Sequence, residues 1–142
     1  MQTFLPYASF MESARVLDRQ RLGKQRVETW QILNALQRDT GGWRNHPATR
    51  MWAGHEASLA LYGITMSYEW TRRGYRDTMG ERFRPFIGGL FPIAPSWLGD
   101  EGFHLSHRSN LVRKMPEHYG PVWPDVPADL PYLWPTKEGI AA

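Results

Sequence analysis

Apolar residues recur at helical spacing through three stretches of the chain, separated by clusters of Gly, Pro and Asn. Ser9-Phe10-Met11-Glu12 fits a capping box and predicts a first helix from near Phe10 to about Leu36, with a break at Asp18 or Gly23. Residues 38–46 form a connection in which Gly41-Gly42 marks a turn, and Asn45-His46-Pro47 supplies a polar cap with proline in the first helical turn. Trp52, His55, Leu59, Tyr62, Met66 and Trp70 then predict the longest helix, from Pro47 to about Arg73, ending at Gly74. Gly54 and Gly63 weaken its continuity but allow close packing against another backbone. Residues 86–98 read as an ordered apolar loop, and Asp100 to Lys114 as a third helix with acids in its first turn and Arg113-Lys114 in its last. From Pro116 onward the chain holds six of its 11 prolines, interleaved with Tyr119, Trp123, Tyr132 and Trp134. No alternating run suggests a strand, apart from a short piece at residues 2–5. The expected fold is therefore all-α: one helical domain over residues 1–142, with about three main helices and residues 115–142 as an extended tail packed on them.

The polar positions of the first helix are as informative as the apolar ones. Arg21, Lys24, Gln25 and Glu28 fall at i, i+3, i+4 and i+7 and share a face, while Leu22, Thr29, Trp30, Leu33 and Leu36 form the opposite, buried stripe. Three basic or polar groups and one acid make a candidate active face. The alternative is a solvated face with a Lys24–Glu28 ion pair worth a few tenths of a kcal/mol. Arg26 lies between Leu22 and Trp30 on the apolar side and needs a partner, with Asp18 the candidate.

Composition narrows the function. The chain has 142 residues with 42% hydrophobic content and seven Trp, enough to fill a core. No apolar run approaches the length that spans a bilayer, and Met-Gln-Thr-Phe-Leu-Pro lacks the charged and apolar regions of a leader; a soluble, cytoplasmic protein with no membrane partner is expected. The absence of cysteine excludes disulfides, thiolate nucleophiles, Fe–S clusters and Cys-ligated zinc. Residues 115–142 carry one base and four acids, leaving residues 1–114 with 16 bases against 10 acids, a charge of +6. Fourteen of the 17 bases are Arg. This arginine-rich first part favours a polyanionic partner.

Motif chemistry excludes more than it assigns. His55-Glu56 begins like a zincin signature, but the second histidine would stand at 59, which is Leu59. His104 and His107, one turn apart, lack an evident third metal ligand, so a phosphate-binding or core role is favoured. His55 sits on the apolar stripe, where a buried structural histidine is the favoured alternative to a functional one. Neither Rossmann nor P-loop spacing occurs, and no metal or cofactor is expected. What remains is a set of bases on separate helices: Arg21 and Lys24; Arg44 and Arg50; Arg72, Arg73 and Arg76; and His107, Arg108, Arg113 and Lys114. Convergence of several into one groove would let them track a phosphate backbone; ordinary solubility is the alternative.

Arg21-Leu22-Gly23-Lys24-Gln25-Arg26-Val27-Glu28, Asn45-His46-Pro47, Trp52-Ala53-Gly54-His55 and Tyr68-Glu69-Trp70-Thr71-Arg72-Arg73-Gly74-Tyr75, in that order, resemble the pyrimidine-dimer DNA glycosylases typified by the phage endonuclease V enzymes. The resemblance covers roughly residues 1–123. It implies a mostly helical enzyme without metal or cofactor that removes a base from duplex DNA and cleaves at the resulting abasic site. In that family a free N-terminal α-amine attacks the sugar C1′ to form a Schiff base, and a glutamate on the first long helix, matched here by Glu28, supports the chemistry. An α-amine has a pKa near 8, about two units below lysine, so part of it is neutral and nucleophilic at pH 7.

The phage enzyme of the family exposes a small residue after the initiator methionine is removed, whereas here Gln2 is bulky, so Met1 is expected to stay. Either the Met1 amine serves, or Lys24 replaces it, or Schiff-base chemistry is lost. The family's C-terminal aromatic cluster is loosely echoed by His118-Tyr119-Gly120-Pro121-Val122-Trp123. The resulting expectation is a monomeric DNA glycosylase, optionally an abasic-site lyase, acting on damaged or modified bases in duplex DNA. Glu28, Met1 and Lys24 are its catalytic candidates. Arg21, Gln25, Arg44, His46, Arg50, His55, Arg72, Arg73, His107, Arg108 and Lys114 are its DNA-binding candidates. A non-catalytic nucleic-acid-binding protein and an enzyme acting on free nucleotides are the alternatives.

Overall fold

A computed structural model describes residues 1–38, 42–89 and 92–142. Its architecture is mostly helical, as the periodicity predicts. Ser9 caps α1 (Phe10–Val16) by accepting the Glu12 N–H at 3.1 Å. The chain then turns extended at Leu17, and the Asp18 carboxylate caps α2 (Arg19–Gln37) through the Arg21 N–H. The expected break thus falls at Asp18 rather than at Gly23. A 3₁₀ turn (Gly42–Asn45) leads to α3 (Pro47–Arg50); the Gly41 half of the expected turn lies outside the described residues.

The expected long helix from Pro47 to Arg73 is two helices. Between α3 and α4 (Glu56–Arg72) the chain bends through Gly54, whose φ of +82° is left-handed and ends helical continuity. The bend buries Trp52 completely. At 19 residues α2, not the 17-residue α4, is the longest helix. Helix α2 packs chiefly on α4, and α1 packs on α4 as well. After α5 (Gly80–Phe83) and a 3₁₀ turn (Arg84–Phe86), which takes in the first residue of the loop expected over 86–98, residues 87–89 and 92–98 are turns and irregular chain; Leu90 and Phe91 lie outside the described residues. Trp97 anchors this loop by donating its indole N–H to the Met51 carbonyl at 3.2 Å.

Helix α6 (Glu101–Lys114) is capped by Asp100 as expected. The segment beyond it is more structured than an extended tail. It forms α7 (Pro116–Tyr119) and then a hairpin of β1 (Trp134–Thr136) and β2 (Gly139–Ala141), with Trp134 paired to Ala141. Tyr119 and Trp123 stack at 5.5 Å, and the Leu130 and Leu133 amides bond to Ser109 and Ser106 on α6.

Residues 2–6 are buried but form no strand. Their backbone groups are satisfied by side chains instead, as burial demands. The Phe4 N–H donates to Gln25 Oε1 at 2.8 Å, and the Phe4 carbonyl accepts from the Tyr62 hydroxyl at 2.8 Å. The Leu5 N–H donates to His107 Nδ1 at 2.9 Å, the Leu5 carbonyl lies 2.8 Å from His104 Nδ1, and Arg108 donates to the Pro6 carbonyl. The two histidines thus hold opposite sides of one residue. This corrects two expectations: His107, completely buried, cannot touch DNA, and Arg108 is spent on Pro6 and Glu101. Among the described residues no group of three or more potential ligands could hold a metal ion. None of the helices described is long and apolar enough to cross a membrane.

Two predictions follow from this packing. A Cβ built at Gly63 would sit 2.7 Å from the Phe83 ring, so Gly63→Ala should cost about 1–3 kcal/mol in chemical denaturation. Burial lowers the His107 pKa from 6.5 to about 3, with His104 adding to the shift. The unfolded chain therefore takes up this proton first as pH falls, and stability present above pH 6.5 is lost progressively toward pH 3. Up to about 1.4 kcal/mol per pH unit should disappear across that window in denaturant titrations, and His107→Gln should flatten the slope.

Candidate active site

A cavity of about 360 Å³ opens where the buried N-terminal segment meets α2. Successive turns of α2 supply Gln20, Arg21, Lys24, Gln25 and Glu28; the terminus supplies Met1, Gln2 and Phe4; His46 stands at the start of α3. Lys114 ends α6, and Tyr132 and Trp134 close the wall from the C-terminal segment. The three catalytic candidates, Met1, Lys24 and Glu28, therefore line one cavity, together with the DNA-binding candidates Arg21, His46 and Lys114.

The hydrogen bonds orient the polar groups. Glu28 Oε2 accepts from Gln25 Nε2 at 3.0 Å. His46 caps α3 by accepting the Ala48 N–H on Nδ1 at 3.0 Å, which leaves Nε2 to carry the proton of the neutral ring. Burial lowers the His46 pKa, the Met1 ammonium lowers it further, and Glu28 pulls it back up, so His46 responds to the charge on both groups. Arg21 donates to Asp18 at 3.2 Å. For Asp18, burial alone would raise the carboxyl, but hydrogen bonds from Tyr119 and Arg21 outweigh it and hold the group below its ordinary range. Burial also lowers Lys114, reinforced by Arg113 and Arg21. Arg21 and Arg113 thus lie near enough for their charge to be felt at the Lys114 amine.

Chemically, the cavity pairs amines with a carboxylate and a neutral imidazole under a cationic rim. The first 82 residues match the family model described as pyrimidine dimer DNA glycosylase. The chain belongs to that family. No curated protein and no solved structure matches it. The family match covers Met1, the α2 face and His46, whereas Lys114, Tyr132 and Trp134 lie beyond it.

The other expected DNA contacts divide into two groups. Arg44, Arg50 and His55 line a neighbouring depression of about 890 Å³ beneath the hairpin, and Trp134 borders both cavities. His55 is half-buried at the bend before α4, not on a buried helical stripe. Arg72 and Arg73 do not reach the main cavity. Both donate to the fully buried Glu69, at 2.7 and 2.8 Å, and Arg73 also reaches the carbonyls of Ala14, Arg15 and Leu17 at the C-terminal end of α1. Gln25 is 1% exposed, so it contacts protein rather than DNA. Arg26 pairs with Asp77 at 2.6 Å and stacks 4.4 Å over Trp70, instead of meeting Asp18.

Sequence reasoning missed Gln2, Gln20, Tyr132 and Trp134 as cavity walls. The aromatic and proline content of the C-terminal segment marked it as packed, but gave no sign of which face it covers. Because Arg73 is bound to a buried carboxylate and closes a helix end, Arg73→Ala should cost about 3 kcal/mol in thermal or denaturant unfolding. Duplex DNA affinity, measured where the variant remains folded, should change less than twofold; a larger loss would return Arg73 to the DNA interface.

Proposed function

We propose that this chain, acting as one 142-residue helical unit, is a monomeric DNA glycosylase for pyrimidine-dimer-type lesions in duplex DNA, with abasic-site lyase activity. The observation carrying this reading is the meeting of Met1, Glu28 and His46 at one cationic cavity within the family-matched part of the chain. Arg21, Lys24 and Lys114 hold phosphates around an extruded nucleotide, and Arg44, Arg50 and His55 extend the contact to the depression beneath the hairpin.

In the proposed reaction the neutral α-amine of Met1 attacks C1′ while the bond from C1′ to the base breaks. The base leaves with that electron pair and takes a proton. Glu28 stabilises positive charge developing on the sugar, and His46 donates from Nε2 to an oxygen at the cavity mouth. The attached nitrogen then loses a proton, the ring oxygen takes one as the C1′–O4′ bond breaks, and a protonated imine with a free 4′-hydroxyl results. Removal of a 2′ proton then expels the 3′ phosphate by β-elimination, and water hydrolyses the imine to restore the amine. Amine and carboxylate suffice for these steps; Lys24 is the alternative amine, one helical turn from Glu28.

Borohydride should therefore trap a covalent adduct with duplex DNA containing a pyrimidine dimer or an abasic site, and peptide mapping should place it on Met1. An adduct on Lys24 would change the nucleophile; no adduct and no base release across a lesion panel would eliminate the proposal. Glu28→Gln should lower base release at least 100-fold with little change in duplex affinity. Release unaffected by this substitution would leave a nucleic-acid-binding protein as the better reading.

A further inference from the structure

The side-chain amide of Gln25 is buried and uses its whole hydrogen-bonding capacity. Oε1 accepts from the Phe4 N–H at 2.8 Å and lies 2.6 Å from the Tyr62 hydroxyl, whose single proton it shares with the Phe4 carbonyl. Nε2 donates to the Gln2 carbonyl at 2.9 Å and to Glu28 Oε2 at 3.0 Å. The amide cannot be reversed, because a peptide N–H can only donate and a peptide carbonyl can only accept. Tyr62 is held protonated first by its complete burial and then by the charge of Glu28, so its hydroxyl remains a donor behind the amide.

We infer that Gln25 is a positioning residue that sets the register between the chain terminus and Glu28. One NH₂ group joins the peptide carbonyl next to Met1 to one oxygen of Glu28, leaving Oε1 of Glu28 available to the cavity. The spacing between the amine and the carboxylate is then governed by a planar amide and not by a free chain end. The inference rests on the reading that these two groups react together, where a displacement of about 1 Å can cost 100-fold in rate. It also explains why a glutamine occupies a buried site on the polar side of α2: a hydrocarbon would leave the Phe4 N–H, the Gln2 carbonyl and Glu28 Oε2 without the partner that Gln25 supplies.

The experiment compares the unsubstituted protein with Gln25→Glu and Tyr62→Phe. Gln25→Glu keeps the shape but sets a carboxylate against both the Gln2 carbonyl and Glu28. Single-turnover base release on dimer-containing duplex should fall about 100-fold, with duplex affinity within threefold. Tyr62→Phe leaves the amide in place but removes its rear support, and release should fall about threefold to tenfold; this variant decides the case if Gln25→Glu does not fold. Release within twofold of the unsubstituted protein in the folded variants would overturn the inference, as would rate and affinity falling together.

A second readout needs no turnover. The ¹³C chemical shift of the methylated Met1 amine, read by NMR at fixed pH, should change when Glu28→Gln is introduced, and this change should shrink once Gln25 or Tyr62 is also substituted. An equal change in both backgrounds would overturn the inference. If the unsubstituted protein neither releases base nor forms the borohydride adduct, the glycosylase reading falls, and the amine chemical shift alone decides the role of Gln25.

Discussion

The constraint on which the structure depends is the burial of residues 2–6 without a strand partner. An extended segment inside a helical fold presents peptide groups that no neighbouring strand completes, and each one left bare costs on the order of 1–3 kcal/mol. Here α2 contributes Gln25, α4 contributes Tyr62, and α6 contributes His104, His107 and Arg108. The start of the chain is therefore completed by its later parts, and three helices must be docked before it can settle. That dependence brings Met1 to α2 beside Glu28. The polar core and the candidate active site are two ends of one hydrogen-bonded system joined through Gln25.

The same economy divides the cations. Arginine's planar fork suits positions where one side chain must meet several oxygens, as Arg73 does at Glu69 and at the carbonyls that end α1. Arg26 is likewise committed between Asp77 and Trp70. Such residues give the first part of the chain its positive charge without facing a ligand. The cations at the cavity are less fully committed: Arg21 has Asp18 at 3.2 Å yet stands close enough to Lys114 to help depress its amine. Repulsion that the fold maintains here would be relieved by a bound phosphate, whereas the cations spent on Glu69 and Asp77 have no such need.

The main helices were legible because their signals are local. Ser9, Asp18 and Asp100 each cap a helix through an oxygen three residues from its donor, and Pro47 stands where a first turn tolerates it. The break between α3 and α4 was less so, because Gly54 resembles a tolerated helical glycine until its left-handed backbone is seen. Glu28, Lys24, Arg21 and His46 could be proposed from one helix face and one motif, and they do share a cavity. Gln25 was misplaced for a physical reason: helical periodicity places a glutamine with its polar neighbours, and only the docking of a segment more than 20 residues away buries it. The inward turn of His107 has the same origin, since the demand it answers arises at Leu5.

The boundary of the family match carries a consequence for specificity. Residues 1–82 hold the groups assigned to bond-making, while Lys114, Tyr132 and Trp134 enclose the cavity from outside that span. Tyr132 is pushed up to about 12 by burial and therefore presents a neutral hydroxyl and an apolar ring. Trp134 lies edge-on to His46, with ring centroids 6.1 Å apart, and is tied by β1 to the hairpin beneath which Arg44 and Arg50 lie. An extruded base entering this space would meet aromatic surface from the C-terminal segment while its sugar faced Met1 and Glu28. On the proposed reading, the reactive groups and the aromatic wall come from different stretches of the chain that meet where Tyr132 hydrogen-bonds to Gln2, beside Met1. The Gln25 network itself contains no residue of the C-terminal segment, so a change there would reach the terminus through Tyr132 and Gln2 rather than through the amide.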